Sequence, residues 1–386
     1  MARLGNYIEQ IRGVSYKPED VCASTDVDAV AILRANNIQD DGLIFDDLVY
    51  VKKDKVSAKQ YIQKGDIVVC ASSGSKNLVG KAAIVNEDME ISFGAFCKVI
   101  RPKKLMPSYI GHYFQSPKYR NKISELAGGA NINNIRNEHI DDLDIVVPNT
   151  DEQERISIEL NKVGGLISLR KQQLSKLDEL VKSRFIEMFG DTELNPYSWE
   201  KSTLGTICDV RDGTHDSPQY YETGYPLVTS KNVTGGKIDM TDCSLICEAD
   251  FQKINERSKV DIGDIIMPMI GTVGKPVIVD IEPEFAIKNV ALIKFKIDTS
   301  VLNTYIQALL QSDYFDKAIT SKVRGGTQKF ISLGDIRKLE ILVPPIELQQ
   351  QFATFVEQTD KSKFEIQKSL EKLETLKKAL MQKYFG

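Results

Sequence analysis

The chain has 386 residues, 42% of them hydrophobic and 27% charged, with a formal net charge of −4. That is ordinary globular composition with room for two domains plus connectors, and no apolar run reaches the roughly 18 residues that cross a bilayer. Six scattered cysteines (Cys22, Cys70, Cys97, Cys208, Cys243, Cys247) exclude a disulfide framework, and Cys243-x3-Cys247, with no neighbouring histidine or second pair, does not read as a zinc site. The start, Met1-Ala2-Arg3-Leu4-Gly5, lacks an apolar signal core, so a cytoplasmic location is expected. The slight acidity neither advertises nor excludes nucleic-acid binding, because local patches decide phosphate contact.

Residues 1–149 read as a first globular domain of short β-type runs separated by Gly, Asn and Pro. Gly65-Asp66-Ile67-Val68-Val69 is a turn into a buried strand, Tyr109-Ile110 begins a short helix, and a glycine-rich polar loop follows at Gly128–Asn134. Residues 150–190 read as a long amphipathic helix. Pro148 closes the preceding strand, and Thr150-Asp151-Glu152-Gln153 has the pattern of a capping box. Apolar residues then recur at 3/4 spacing: Leu160, Val163, Ile167, Leu174, Leu177, Val181 and Met188. Gly164-Gly165 interrupts the pattern and predicts a local kink or the close approach of a partner helix. Gly190 sits where a left-handed C-cap would end the helix.

Residues 191–345 read as a second domain on the same plan. Gly263-Asp264-Ile265-Ile266-Met267 matches the turn into the buried strand, Tyr305-Ile306 the helix start, and Gly325-Gly326-Thr327-Gln328-Lys329 the polar loop. Residues 346–386 form a second amphipathic helix, with Phe352, Val356, Ile366, Leu370, Leu373, Leu380 and Tyr384 on its seam and Gly386 at its end.

The repeat is gapless over the helices. Ile145-Val146-Val147-Pro148 returns about 196 residues later as Ile341-Leu342-Val343-Pro344, and Gln153 matches Gln349. Leu174, Leu177 and Leu180 match Leu370, Leu373 and Leu376, and Phe189-Gly190 matches Phe385-Gly386. A period this long is a duplicated domain-plus-helix unit rather than a solenoid, and it suggests a target with two halves. The first helix must leave domain one for domain two, and the second must return. The expected fold is therefore α+β: two similar globular domains joined by two long antiparallel coiled-coil helices, in a pseudo-two-fold, circular repeat. Roughly 36 helical residues span about 54 Å, comparable to about 15 base pairs of duplex.

Here the residues carry a resemblance. The second domain resembles a target recognition domain of a type I restriction–modification specificity subunit through Asp212-Gly213-Thr214-His215-Asp216-Ser217-Pro218, Thr229-Ser230-Lys231-Asn232-Val233, Met269–Gly274 and Ile287-Lys288-Asn289-Val290-Ala291. The first resembles another subtype through Arg12–Pro18, Leu33-Arg34-Ala35-Asn36-Asn37-Ile38, Ser72-Ser73-Gly74-Ser75 and Phe93-Gly94-Ala95-Phe96. The resemblance covers the whole chain. It implies a non-catalytic, sequence-specific DNA-binding subunit that recognises a bipartite double-stranded site. It also implies two adenine-N6 methyltransferase subunits as partners, and nuclease/translocase subunits where present. No cofactor is expected on this chain; S-adenosylmethionine is expected on the methyltransferase partners. The alternative is a coiled-coil scaffold, or decayed relative, that does not bind DNA.

The residues agree with a chain that does no chemistry. Asn195-Pro196-Tyr197 is one proline short of an amino-methyltransferase loop, and Gly74 to Gly80-Lys81-Ala82 has five intervening residues where a P-loop has four. His112, His139 and His215 are dispersed, so neither a metal cluster nor a triad is visible.

The candidate DNA-contacting residues of domain one are Arg12, Tyr16 and Lys17; Ser72, Ser73, Ser75, Lys76 and Asn77; and Asn131, Asn133, Asn134 and Arg136. Those of domain two are Thr214, His215, Asp216 and Ser217; Lys231 and Asn232; Thr272 and Lys275; and Thr327, Gln328 and Lys329. Gln can pair with an adenine edge, and Lys can reach phosphate or guanine. The competing explanation for Thr214–Ser217 is a turn whose side chains satisfy their own backbone. For Asn232, and Asn37 opposite it, the competing explanation is a structural asparagine at a strand end.

Overall fold

The computed structural model describes residues 1–75, 77–126, 133–269, 275–296, 298–320 and 330–386, with only the backbone of Asn133 and Thr320. The chain forms two compact units: residues 1–172 with 366–386, and residues 173–365. Each unit takes part of both long helices.

Unit one is built on a four-stranded antiparallel sheet, in the order Ile8–Arg12, Cys97–Pro102, Ile67–Cys70, Ala82–Ile84. All four residues of Ile67–Cys70 are buried, which is why they read as one apolar run rather than an alternation. A second sheet places Ala29–Leu33 between Val49–Lys52, antiparallel to it, and Ile91–Phe93, parallel to it. The strands Ala2–Arg3 and Asp144–Ile145 pair and close the domain.

Unit two repeats this plan. Its four-stranded sheet runs Asp209–Asp212, Val290–Lys294, Ile265–Pro268, Val277–Ile278. Tyr225–Val228 lies between Ser244–Ile246, antiparallel, and Ala286–Ile287, parallel. Glu200–Thr203 closes it against Glu340–Val343.

The duplicated Gly-Asp turn has a physical cause in both units. Gly65 and Gly263 have φ of +90° and +89°, a conformation that strains other residues. The following Asp66 and Asp264 are buried and need partners. Asp66 takes two bonds from the Arg101 guanidinium, at 2.8 and 2.7 Å, and Asp264 accepts from Lys294 Nζ at 2.6 Å.

The two long helices are Thr150–Phe189 and Ile346–Phe385. The expected capping box is not how the first one starts. Asn149 Oδ1 accepts from the Glu152 N–H at 2.9 Å, so the cap lies one residue earlier than Thr150. Gln153 is buried and serves as a clamp: it donates to the Pro148 carbonyl and accepts from the Met106 N–H, both at 2.9 Å. Gln349 does the same with the Pro344 carbonyl and the Leu302 N–H, both at 2.8 Å.

The helices pack antiparallel within each unit. In unit one the Tyr384 hydroxyl donates to Glu159 at 2.5 Å. In unit two Lys363 pairs with Asp178 at 2.7 Å, while Phe352 meets Phe185 further along, at 5.6 Å between ring centroids. On the seam, Leu160, Val163, Ile167, Met188, Phe352, Leu370 and Leu380 are buried. Leu174, Leu177, Val181, Val356, Ile366, Leu373 and Tyr384 are half-buried. The first helix runs unbroken through Gly164 and Gly165. A Cβ at either would meet nothing within 4 Å, so among the described residues no partner helix approaches there.

Candidate nucleic-acid interface

Each domain carries a point where two strands touch by a single parallel bridge, Val14 to Gly94 in unit one and Thr214 to Lys288 in unit two. The residue before each bridge is a glycine for a steric reason. A Cβ on Gly13 would stand 2.1 Å from the Gly94 carbonyl oxygen, and one on Gly213 would stand 2.3 Å from that of Ile287. Past this point the chain leaves the core and builds a lip.

In unit one the lip borders an open cavity of about 780 Å³, lined by Tyr16, Arg34, Asn36, Ser72, Ser73 and Phe96 among others. Ser72–Ser73 pairs antiparallel with Asn133–Asn134, which brings two of the expected polar segments together. Arg34 is fixed by Asp47, whose carboxylate and carbonyl lie 2.7 and 2.6 Å from Nη2. Arg12, Lys17, Ser75, Asn77, Asn134 and Arg136 are exposed outside this lining. Lys17 and Arg136 only lean on Glu19 and Glu138, at 3.7 and 3.8 Å, exposed pairs of little strength that a phosphate could replace.

In unit two the cavity is about 370 Å³, lined by Thr214, His215, Asp216 and Ser217 with Lys253 and Arg257. Thr214 Oγ1 accepts from the Asp216 N–H at 3.1 Å, so the turn satisfies itself at that residue. His215, Asp216 and Ser217 stay exposed. Asn289 Oδ1 lies 2.8 Å from His215 Nδ1, and Asp212 Oδ2 lies 2.8 Å from Nε2. Two acceptors on one ring favour the imidazolium, and the His215 pKa is raised, first by Asn289 and then by Asp212. Arg257 holds the other oxygen of the buried Asp212, and Lys288 Nζ donates to Ser217 Oγ at 2.7 Å. Arg257 and Lys288 are thus held in place at this lip, beside the carboxylates of Asp216 and Asp250 in the cavity lining.

Lys231 and Lys275 are exposed. Asn232 is a correction: it is buried, its Oδ1 accepts from the Thr229 N–H at 3.0 Å, and its amide donates to the Asp239 carbonyl at 3.2 Å. Asn37 does the same in unit one, with the Arg34 N–H and the Asp46 carbonyl, so both asparagines shape a turn rather than face solvent. Lys76, Asn131, Thr272, Thr327, Gln328 and Lys329 lie outside the described residues. Sequence reasoning missed Lys253 and Arg257, although their spacing of four on the helix Glu248–Ser258 puts them on one face. Among the described residues no group of three or more His, Cys, Asp or Glu side chains is placed to hold a metal ion.

The model of the type I restriction modification DNA specificity domain matches this chain twice, over residues 7–179 and 196–378. The chain belongs to the type I restriction–modification DNA specificity family. It is a non-catalytic specificity subunit with two DNA-recognition domains. It is 30% identical over 401 residues to the type I restriction enzyme EcoKI specificity subunit of Escherichia coli strain K12, covering 97% of this chain and 86% of that one. Over 173 residues, 45% of this specificity subunit and 37% of the relative, it is 43% identical to the StySPI specificity subunit of Salmonella potsdam. The solved S subunit from M. genitalium shares the fold, with a TM-score of 0.57 over 100% of this chain and 95% of that one, at 16% identity. Among the described residues, no helix of this specificity subunit is long and apolar enough to cross a membrane.

Proposed function

We propose that this specificity subunit recognises a bipartite duplex site, each domain reading one half-site in the groove while the paired helices set the spacing. Two adenine-N6 methyltransferase subunits dock on its outer faces, and nuclease/translocase subunits join where the system has them. S-adenosylmethionine, held by the methyltransferases, supplies the methyl group. This chain supplies position.

One observation supports this reading most. The same scaffold occurs twice, yet the lips differ in chemistry: Val14 bridges Gly94 in one domain, where Thr214 bridges Lys288 in the other. A shared frame with different contact groups suits two different half-sites. Methylation-aware sequencing of DNA from cells carrying this chain and its methyltransferase tests it. The expected result is an interrupted motif with a fixed spacer. A contiguous motif would contradict the reading, and no motif at all would favour the scaffold without DNA binding.

A further inference from the structure

We propose that Phe96 is a specificity-determining residue of the first domain, its ring packing on the 5-methyl group of a thymine in the major groove. The inference rests on the reading that this domain binds DNA.

It begins with a difference in strand register between the two domains. In unit one, Phe93 pairs with Leu33 at the end of one strand, and Cys97 pairs with Cys70 at the start of the next. Gly94, Ala95 and Phe96 lie between them. In unit two, Ile287 pairs with Val228 and Val290 with Pro268, and only Lys288 and Asn289 lie between. The first domain has one residue more in this link, and Phe96 stands outside the core, 69% exposed, between buried Phe93 and buried Cys97.

The outward position is fixed by the backbone. The Phe96 carbonyl accepts from the N–H groups of both Ala71, at 2.8 Å, and Ser72, at 3.0 Å. A single exposed apolar side chain needs no explanation. This one lines the unit-one cavity beside Tyr16, Arg34, Ser72 and Ser73, an apolar ring among hydrogen-bonding groups. The edge of DNA has the same mixture. Its major groove presents donors and acceptors and one apolar group, the thymine methyl. Hydroxyls from Ser72 and Ser73 suit the polar edges, and the phenyl ring suits the methyl. Domain two has polar Lys288 and Asn289 in this link, so the same apolar contact is not expected in its half-site.

The test uses the subunit with its methyltransferase partners and a duplex carrying its own methylated motif. Each thymine of the first-domain half-site is replaced in turn by uracil, which removes only the methyl. One replacement should weaken binding roughly four-fold, the worth of one buried methyl group. The Phe96→Ala complex should lose that sensitivity while keeping the second half-site and the spacer. Indifference of the unaltered complex to every uracil, or a half-site without thymine, would overturn the proposal. So would a Phe96→Ala subunit that binds DNA normally but no longer retains the methyltransferase, because the ring would then be a protein contact. An unaltered complex with no sequence preference would instead refute DNA reading by the domain itself, and the proposal would fall with it.

Discussion

The ring of Phe385 lies 5.2 Å from the ring of Tyr109, and the ring of Phe189 lies 4.9 Å from that of Tyr305. The tyrosine hydroxyls are also matched: Tyr109 donates to the Val146 carbonyl and Tyr305 to the Leu342 carbonyl, both at 3.0 Å. The second long helix thus ends on the first domain, and the first long helix ends on the second.

Both phenylalanines are buried, so Phe385→Ala and Phe189→Ala should each cost about 3–5 kcal/mol. Each should shift the unfolding transition of its own unit. Denaturant unfolding followed by a probe in each unit checks this. A cost below about 1 kcal/mol would show that the helix end is not docked.

The seam predicts a graded series. Leu160 is fully buried, so Leu160→Ala should cost roughly 2–5 kcal/mol. Leu174 is only half-buried, and Leu174→Ala should cost clearly less. Equal losses at the two positions would contradict this packing. Spacing alone does not separate them, because a heptad pattern marks which residues face the partner and not how deeply they are covered.

The helices, their direction and the duplicated domains were legible because periodicity and a gapless repeat are properties of the chain itself. The start of the first helix was not. Gln153 resembles a capping residue by spacing, but its partner is the N–H of Met106, 47 residues away. Asn232 could be read as a surface contact or as a structural asparagine, and the choice depends on its bond to the Asp239 carbonyl, seven residues on, which spacing alone does not encode. The lips were only half legible. The polar runs at Ser72–Ser75 and Thr214–Ser217 stand out in the chain, but the turning-out of Phe96 depends on strand register, which no local motif encodes.

The pair Asp66–Arg101 predicts a strong single-site effect. Asp66→Ala would leave a partly buried guanidinium without its carboxylate and should cost roughly 3–5 kcal/mol. Replacing both residues with apolar side chains should cost less than removing Asp66 alone. A double-mutant cycle measured by denaturant unfolding decides between these outcomes.

His112 predicts the response of unit one to acid. Burial pushes its pKa down from 6.5 to about 4, while Asn161, 2.9 Å from Nε2, opposes the shift. Between those two values the unfolded chain binds the proton and the folded chain does not. Stability should therefore be fully present above pH 6.5 and decline as pH falls towards 4, by at most about 3 kcal/mol. Unfolding measured across that range for the unaltered chain and for His112→Gln should show the decline in the former and a flatter profile in the latter.

The central claim is that each domain reads its own half-site. Exchange of residues 1–149 for the equivalent domain of a relative, followed by methylation-aware sequencing of DNA from cells carrying the hybrid and the methyltransferase, tests it most directly. One half of the motif should change, while the other half and the spacer stay the same. A change in both halves, or in neither, would contradict the account.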